Sequence, residues 1–348
     1  MKNKAVFMTG IREMAICEIE MPLPSPDQVV IRLSLCGICG SDMHYYESGR
    51  IADFVVKGDF ILGHECAGTV VQIGEQVKKL KVGDKVCLEP GITCGQCEFC
   101  KGGRYNLCPD VAFLATPPYH GAFRQYMAYP ENLCFKLPDN VTPLEGALVE
   151  PLAVGLHAAS QGRIGLGSSV AILGAGCIGL MTLQAVKAFG AAHVTVTDIA
   201  SKRLNLAAEL GADAIVNAKE KDPIQAVMEF TGGQGVDVVI ETAGSETTVQ
   251  QTAYLVKRGG KIVFVGMPPS DIIPFNFSKL LAGEAEIKTV FRYRNLYPAA
   301  IEAIASGRVN VNRMVTHEFL FSQTKEAFEY VIAHREDVVK AVIKLSAD

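Results

Sequence analysis

The sequence predicts an α/β protein in two parts, a β-rich part and a parallel sheet covered by helices. Three observations carry this. The chain has 348 residues, which is long for a single core and suits two domains. Short β patterns and glycine turns dominate up to about residue 150. Beyond the pair Glu150-Pro151, apolar runs of about five residues alternate with helical patterns of about ten.

In the first part the opening residues read as strand, turn, strand. Val29–Leu35 alternates apolar and polar residues as a half-buried strand does, and Cys66–Ile73 and Lys85–Leu88 look similar. In the second part a helix is expected over Ala153–Gln161. Ser169–Leu173 is a short apolar run that ends in glycine, and Met181–Phe189 continues as helix. Strands are expected at His193–Thr197, Ala214–Asn217, Val236–Ile240, Lys261–Val265 and Ile287–Phe291, with helices at Lys202–Leu210, Pro223–Phe230 and Thr247–Lys257. Such alternation implies a parallel sheet with helices on both faces. The last stretch offers helices at Pro298–Ser306 and Thr324–His334. A closing strand, Val339–Leu345, is expected to return to the first part.

Composition narrows the function. The net charge of −4 is thinly spread and no basic block stands out, which argues against nucleic acid as partner. No window approaches the ~18 apolar residues of a membrane span, and the opening residues lack the apolar core of a signal peptide. A cytoplasmic protein is expected. Eleven cysteines in such a chain are not expected to pair as disulfides, and their crowding between Cys87 and Cys108 points to metal.

Gly174-Ala175-Gly176-Cys177-Ile178-Gly179 fits G-x-G-x-x-G, follows an expected strand and opens an expected helix. Gly174 permits the tight turn, Gly176 lets backbone approach a pyrophosphate, and Gly179 lets helix and strand pack closely. The helix N-terminus offers N–H groups to the phosphates. Asp198 ends the next strand, where a carboxylate accepts hydrogen bonds from the adenosine ribose and repels a 2′-phosphate. NAD is therefore favoured over NADP, although Arg203 stands where an arginine can serve that phosphate.

Cys94, Cys97, Cys100 and Cys108 follow C-x2-C-x2-C-x7-C, which suits a closed structural zinc site. The last interval is wrong for a ferredoxin-type cluster, and only Lys101 and Arg104 supply nearby positive charge for a nucleic-acid ribbon.

Two further segments hold metal-ligand residue types. Cys36 to His44 ends a strand in a glycine turn, and Gly63-His64-Glu65 precedes another strand. Together with GICGSDMHYYESGRI, LGHECAG, KVGDKV, EPGITCGQCEFCKGGRYNLCPD, FLATPP, ALVEPLAVGLHA and VFRYRNLYP, in that order, they resemble the zinc-dependent medium-chain dehydrogenases over essentially the whole chain. The resemblance is closest to the sorbitol (L-iditol) and xylitol dehydrogenase branch. It implies a GroES-like catalytic domain at residues 1–152 and 292–348, and a Rossmann NAD-binding domain at 153–291.

By that resemblance Cys39, His64 and Glu65 are expected to ligate a catalytic zinc. Glu150 stands near it, hydrogen-bonding metal-bound water or serving as a further ligand. Cys36 and Cys66 are read as small core residues. Ser41 and His44 are expected to relay the proton. Tyr45, Phe113, Thr116, Arg292 and Tyr293 are expected to line the substrate pocket. Val265-Gly266-Met267 and Val290-Phe291-Arg292 resemble the family's segments beside the nicotinamide. The implied reaction is oxidation of a secondary hydroxyl of a polyol to a ketose, with hydride passing to NAD. Zinc takes S, N and O donors and keeps a position for substrate, and few thiolates leave it a strong Lewis acid. A related enzyme of threonine, 2,3-butanediol or another secondary alcohol is the alternative, and a non-catalytic NAD- and zinc-binding protein the alternative of another class. A homotetramer is expected, with Ile287–Phe291 as a sheet edge available to another subunit.

Overall fold

A computed structural model describes residues 2–268, 270 and 272–346. The chain divides into two compact units. The first comprises Met1–Glu150, Tyr297–Gly307 and Val311–Asp348, and the second Pro151–Leu296 and Arg308–Asn310. Among the described residues no helix is long and apolar enough to cross a membrane.

The first unit is built on one mixed sheet. Its path runs Cys134–Lys136, Lys85–Leu88, Glu65–Ile73, Gln28–Gly37, Lys340–Lys344, Val315–Leu320, with Tyr126–Pro130 also paired to Gln28–Gly37. Gln28–Gly37 is the centre because it can pair on both edges. Tyr126–Pro130 takes its first half and the closing strand takes its last three residues. The closing strand thus does return to the first unit. It pairs in parallel with Val315–Leu320, and the crossover between these two parallel strands contains helix Thr324–Ala333. The core here is apolar throughout, with Ile31, Leu33, Leu62, Leu88, Phe123, Phe328 and Ile343 all buried. An N-terminal hairpin, Asn3–Gly10 with Glu13–Ile19, lies beside it.

The second unit is a six-stranded parallel sheet. Its order is Ala214–Asn217, His193–Asp198, Ser169–Leu173, Val236–Glu241, Val256–Phe264, Glu286–Thr289. The first strand in sequence sits in the middle and its successors run outwards both ways. The direction of winding therefore reverses beside Ser169–Leu173, and sheets of this kind take their ligands outside the carboxyl ends of the strands at such a point. Helices cover both faces, so the central strands are buried on both sides and read as apolar runs.

Several elements differ from expectation: helix Gly40–Ser48 stands where only a glycine turn was expected, and the strand expected at Ile287–Phe291 runs Glu286–Thr289. The helix expected to reach Lys257 stops at Leu255, and the next strand begins at once with Val256 in extended conformation. The pairing jumps from Val236↔Val256 to Val238↔Lys261, so a bulge absorbs the glycine-rich segment that sequence placed between helix and strand. A short helix, Phe277–Gly283, was not expected. Phe277, Leu280 and Leu281 do stand at helical spacing, but the helix spans only seven residues, too few for a periodic pattern to stand out, and only Leu280 is buried.

Candidate active site

In the first unit, Cys39 caps the N-terminus of helix Gly40–Ser48, just past the end of the central strand. Asp42 organises this turn. Its Oδ2 accepts the Cys39 N–H at 2.9 Å, and its Oδ1 accepts the Gly63 N–H at 2.9 Å. One fully buried carboxylate thus ties the Cys39 turn to the Gly63-His64 turn. The partner strand begins at Glu65, in register opposite Gly37. One donor atom each from Cys39, His64 and Glu65 all lie within 4.8 Å of one another.

The electrostatics fit a metal there. His64 is buried, and its Nδ1 makes no hydrogen bond and lies 3.8 Å from Asp42 Oδ1. Burial drives its pKa down, but Asp42, Cys39 and Glu150 together outweigh this and lift it to about 10. The acidic groups that face His64, namely Asp42 and Glu150, favour a cation beside its ring. A sulfur, a nitrogen and an oxygen donor converging there suit zinc. The Glu65 carboxylate is fully buried and receives Lys340 Nζ at 2.7 and 2.8 Å.

Glu150 lies in the first turn of helix Val149–Gln161, 6% exposed. It acts electrostatically on His64 and Cys66 but is not brought into the three-residue donor group. Cys36 and Cys66 face each other across paired strands in the core, outside that group. Burial pushes the Cys66 thiol up to about 12 and Cys36 well above the usual thiol range. Ser41 is half-buried and His44 exposed on helix Gly40–Ser48. Tyr45 is buried against Phe60, with ring centroids 6.3 Å apart. Phe113 sets its ring 5.7 Å from that of His64, and Thr116 is half-buried in the following loop.

The four remaining candidate ligands cluster as their spacing implied. Cys94, Cys97, Cys100 and Cys108 each offer a sulfur within 4.8 Å of the others. Backbone N–H groups of Cys97 and Cys100 point at the sulfurs three residues earlier, at 3.4 Å each. Backbone N–H groups of Gln96 and Cys97 lower the Cys94 thiol to about 7, favouring the thiolate a metal needs. The lobe is pinned by Tyr105, whose hydroxyl donates to buried Glu89 at 2.6 Å.

In the second unit the three glycines divide their tasks. Gly174 has φ +105°, and a side chain there would meet Thr242 and Ala243. A Cβ at Gly179 would lie 1.9 Å from Gly174 O, so only glycine lets helix Cys177–Ala188 approach the strand. Gly176 is different: the nearest atom to a Cβ there is Arg203 Nη1, 3.9 Å away. Its surroundings are open, as a backbone that must meet a ligand requires. Ile178 is half-buried in the same turn. Asp198 accepts the Ala175 N–H at 2.6 Å and the Ala200 N–H at 2.9 Å, so it also fastens the fingerprint turn. Val265 and Gly266 donate to Glu241 O, and Met267 is 56% exposed beside them. Val290 donates to Phe264 O, Phe291 is half exposed, Arg292 lies with its guanidinium 4.7 Å over the Phe291 ring, and Tyr293 is buried.

Two residues that position the donor group are not among those expected from sequence, Asp42 and Lys340. Asp42 stands inside the quoted GSDMH run, three residues past an N-cap, where a carboxylate caps a helix. Lys340 is a charge at the start of the closing strand KAVIK, but Lys344 in the same strand is exposed, so a lysine there carried no signal of its burial against Glu65.

The chain matches the model of the alcohol dehydrogenase GroES-like domain over residues 25–139 and that of the zinc-binding dehydrogenases over residues 177–306. A sorbitol dehydrogenase of Bacillus subtilis is 45% identical, covering 98% of this chain and 96% of its own length. A zinc-type alcohol dehydrogenase-like protein of Escherichia coli is 49% identical over 99% of this chain and all of its own. A crystal structure of an Escherichia coli oxidoreductase of unknown specificity superposes with a TM-score of 0.97 at 48% identity, covering both chains in full.

Proposed function

We propose that this chain, which belongs to the zinc-binding dehydrogenase family, oxidises a secondary hydroxyl of a polyol to a ketone and passes the hydride to NAD. The observation that carries the reading is the group of Cys39, His64 and Glu65, a sulfur, a nitrogen and an oxygen donor converging within 4.8 Å of one another. A zinc ion held there supplies Lewis acidity toward a hydroxyl oxygen. The near-full-length likeness to sorbitol dehydrogenase supports a polyol as substrate.

The chain's own residues then divide the work. Asp42 orients the Cys39 and His64 turns before any ligand arrives. Glu150, buried and already coupled electrostatically to His64, receives the hydroxyl proton, and Ser41 and His44 pass it on to solvent. Phe113 and Tyr45 shape an apolar wall, with Thr116 beside them, while Arg292 and Tyr293 donate hydrogen bonds to the distal hydroxyls of a polyol. In the second unit the open backbone at Gly176 and the helix behind it cradle the pyrophosphate, and Asp198 takes the adenosine ribose with Arg203 beside it. Val265 to Met267 and Val290 to Arg292 flank the nicotinamide. The four-cysteine lobe holds a second, structural zinc. The active form is a cytoplasmic homotetramer. Strand Glu286–Thr289 ends the parallel sheet, which supports it as an edge for extension between subunits.

Initial rates over sorbitol, xylitol, L-iditol, threonine and 2,3-butanediol, each with NAD and NADP, test the reading. Polyols with NAD are expected to give the highest kcat/KM, and Cys39→Ala is expected to abolish turnover while NADH still binds. A preference for threonine or butanediol would move the substrate class. Full turnover by Cys39→Ala would remove zinc from the chemistry.

A further inference from the structure

The metal-ligating group carries a buried cation of its own. Lys340 opens the closing strand, is 4% exposed, and donates to Glu65 Oε1 at 2.7 Å, Glu65 Oε2 at 2.8 Å and Ile38 O at 3.0 Å. Those three acceptors match the three N–H bonds of an ammonium. Glu65 is walled on another side by Gly37, where a Cβ would lie 2.0 Å from its Oε2. The carboxylate therefore has a fixed seat, and an internal cation already occupies both its oxygens.

We propose that Lys340 is a positioning residue that stands in for the metal at Glu65, seating the carboxylate beforehand and competing with the metal for it afterwards. This rests on the reading that Cys39, His64 and Glu65 hold zinc. A carboxylate that accepts two bonds from an ammonium has less electron density to give to a second cation. It is a weak donor, and a weakly supplied zinc stays a strong Lewis acid. Removing Lys340 would leave Glu65 as a buried carboxylate without compensation, beside Asp42 and Cys39. That burden falls chiefly on the metal-free protein, because bound metal relieves it. By linkage the loss of Lys340 must then tighten metal binding at this centre. A residue that merely braced the backbone would do the reverse, since Glu65 and the segment before Cys39 would lose their anchor.

The test uses the full-length protein with Co(II) as probe. Subtracting the spectrum of Cys39→Ala isolates this centre from the four-cysteine lobe. Lys340→Met is expected to release Co(II) from it to a chelator about tenfold more slowly, the scale on which partners of metal ligands act. Its d–d bands should shift, and Lys340→Arg should restore both properties. Release that is unchanged or faster, or unshifted bands, overturns the proposal. Should Lys340→Met be recovered only with metal bound, melting with and without metal replaces the release rate. A wider gap than in the wild type supports the proposal, and equal destabilisation in both states overturns it. In Lys340→Met/Glu65→Gln no carboxylate remains to be relieved, so slowed release in that double variant also overturns it. If wild type and Cys39→Ala share one spectrum, the zinc reading falls and the proposal with it. An intact difference spectrum with an unaltered Lys340→Met sinks the proposal alone.

Discussion

At Gly37 the absence of a side chain is a requirement of the residue opposite. Glu65 sits in register across the sheet, and its Oε2 fills the space a Cβ would take. A Cβ there would push the carboxylate out of its seat beside Cys39 and His64, so Gly37→Ala is expected to weaken metal binding about 10- to 100-fold through the misplaced donor itself. Metal content after dialysis measures this, and NADH binding by the second unit should be unchanged. Much of the residue scale was legible only in part. Cys39 and His64 are recognisable as ligand types, yet the 2.9 Å bonds from Asp42 to the Cys39 and Gly63 N–H groups are what bring their turns together. A sequence shows that an aspartate is available to cap a helix. It does not show that the second oxygen of that aspartate reaches a turn from a different part of the chain.

Elements built from neighbours in sequence were the most legible. Strand Ser169–Leu173 is as expected, and the turn after it obeys the steric logic of its glycines. That logic gives two separable outcomes. Gly179→Ala forces a Cβ to 1.9 Å from a carbonyl oxygen and should destabilise the fold by about 1–3 kcal/mol. Gly176→Ala meets nothing closer than 3.9 Å and should melt like the wild type, yet bind NADH at least about tenfold more weakly, a loss of ~1.4 kcal/mol. Calorimetry and fluorescence titration together separate the two. In the first unit, Glu131 Oε1 accepts the backbone N–H groups of Lys78, Lys79 and Leu80, fixing the turn before strand Lys85–Leu88. Slight burial works against its ionisation, but those N–H groups and the Lys79 charge hold its pKa below the usual range. A depressed folded pKa means the stabilisation is present above the unfolded value near ~4.3 and is lost as pH falls through the folded one. Glu131→Gln should therefore melt about 2–4 °C below the wild type at pH 7, and the gap should close toward pH 3. The bulge at Val256–Lys261 was not legible, because a register shift belongs to the pairing of two strands and not to either strand alone.

At the scale of the whole molecule, the proposed metal ligands and the proposed dinucleotide fingerprint belong to different compact units. Exhaustive chelation should therefore abolish turnover and lower the melting temperature while leaving NADH fluorescence titration unchanged. Loss of NADH binding in step with metal would show that the two are not separable. The four-cysteine lobe and the glycine fingerprint were determined by sequence alone, since each lies within a short stretch where spacing sets distance. The succession of elements was likewise written in local periodicity, which the hydrophobic effect converts directly into buried faces. Lys340 was not, and its partner Glu65 lies 275 residues earlier. The closing strand meets the middle of the first sheet only after the second unit has been built between them in sequence. Which charge finds which across that interval depends on strand pairing, and only the tertiary structure decides it.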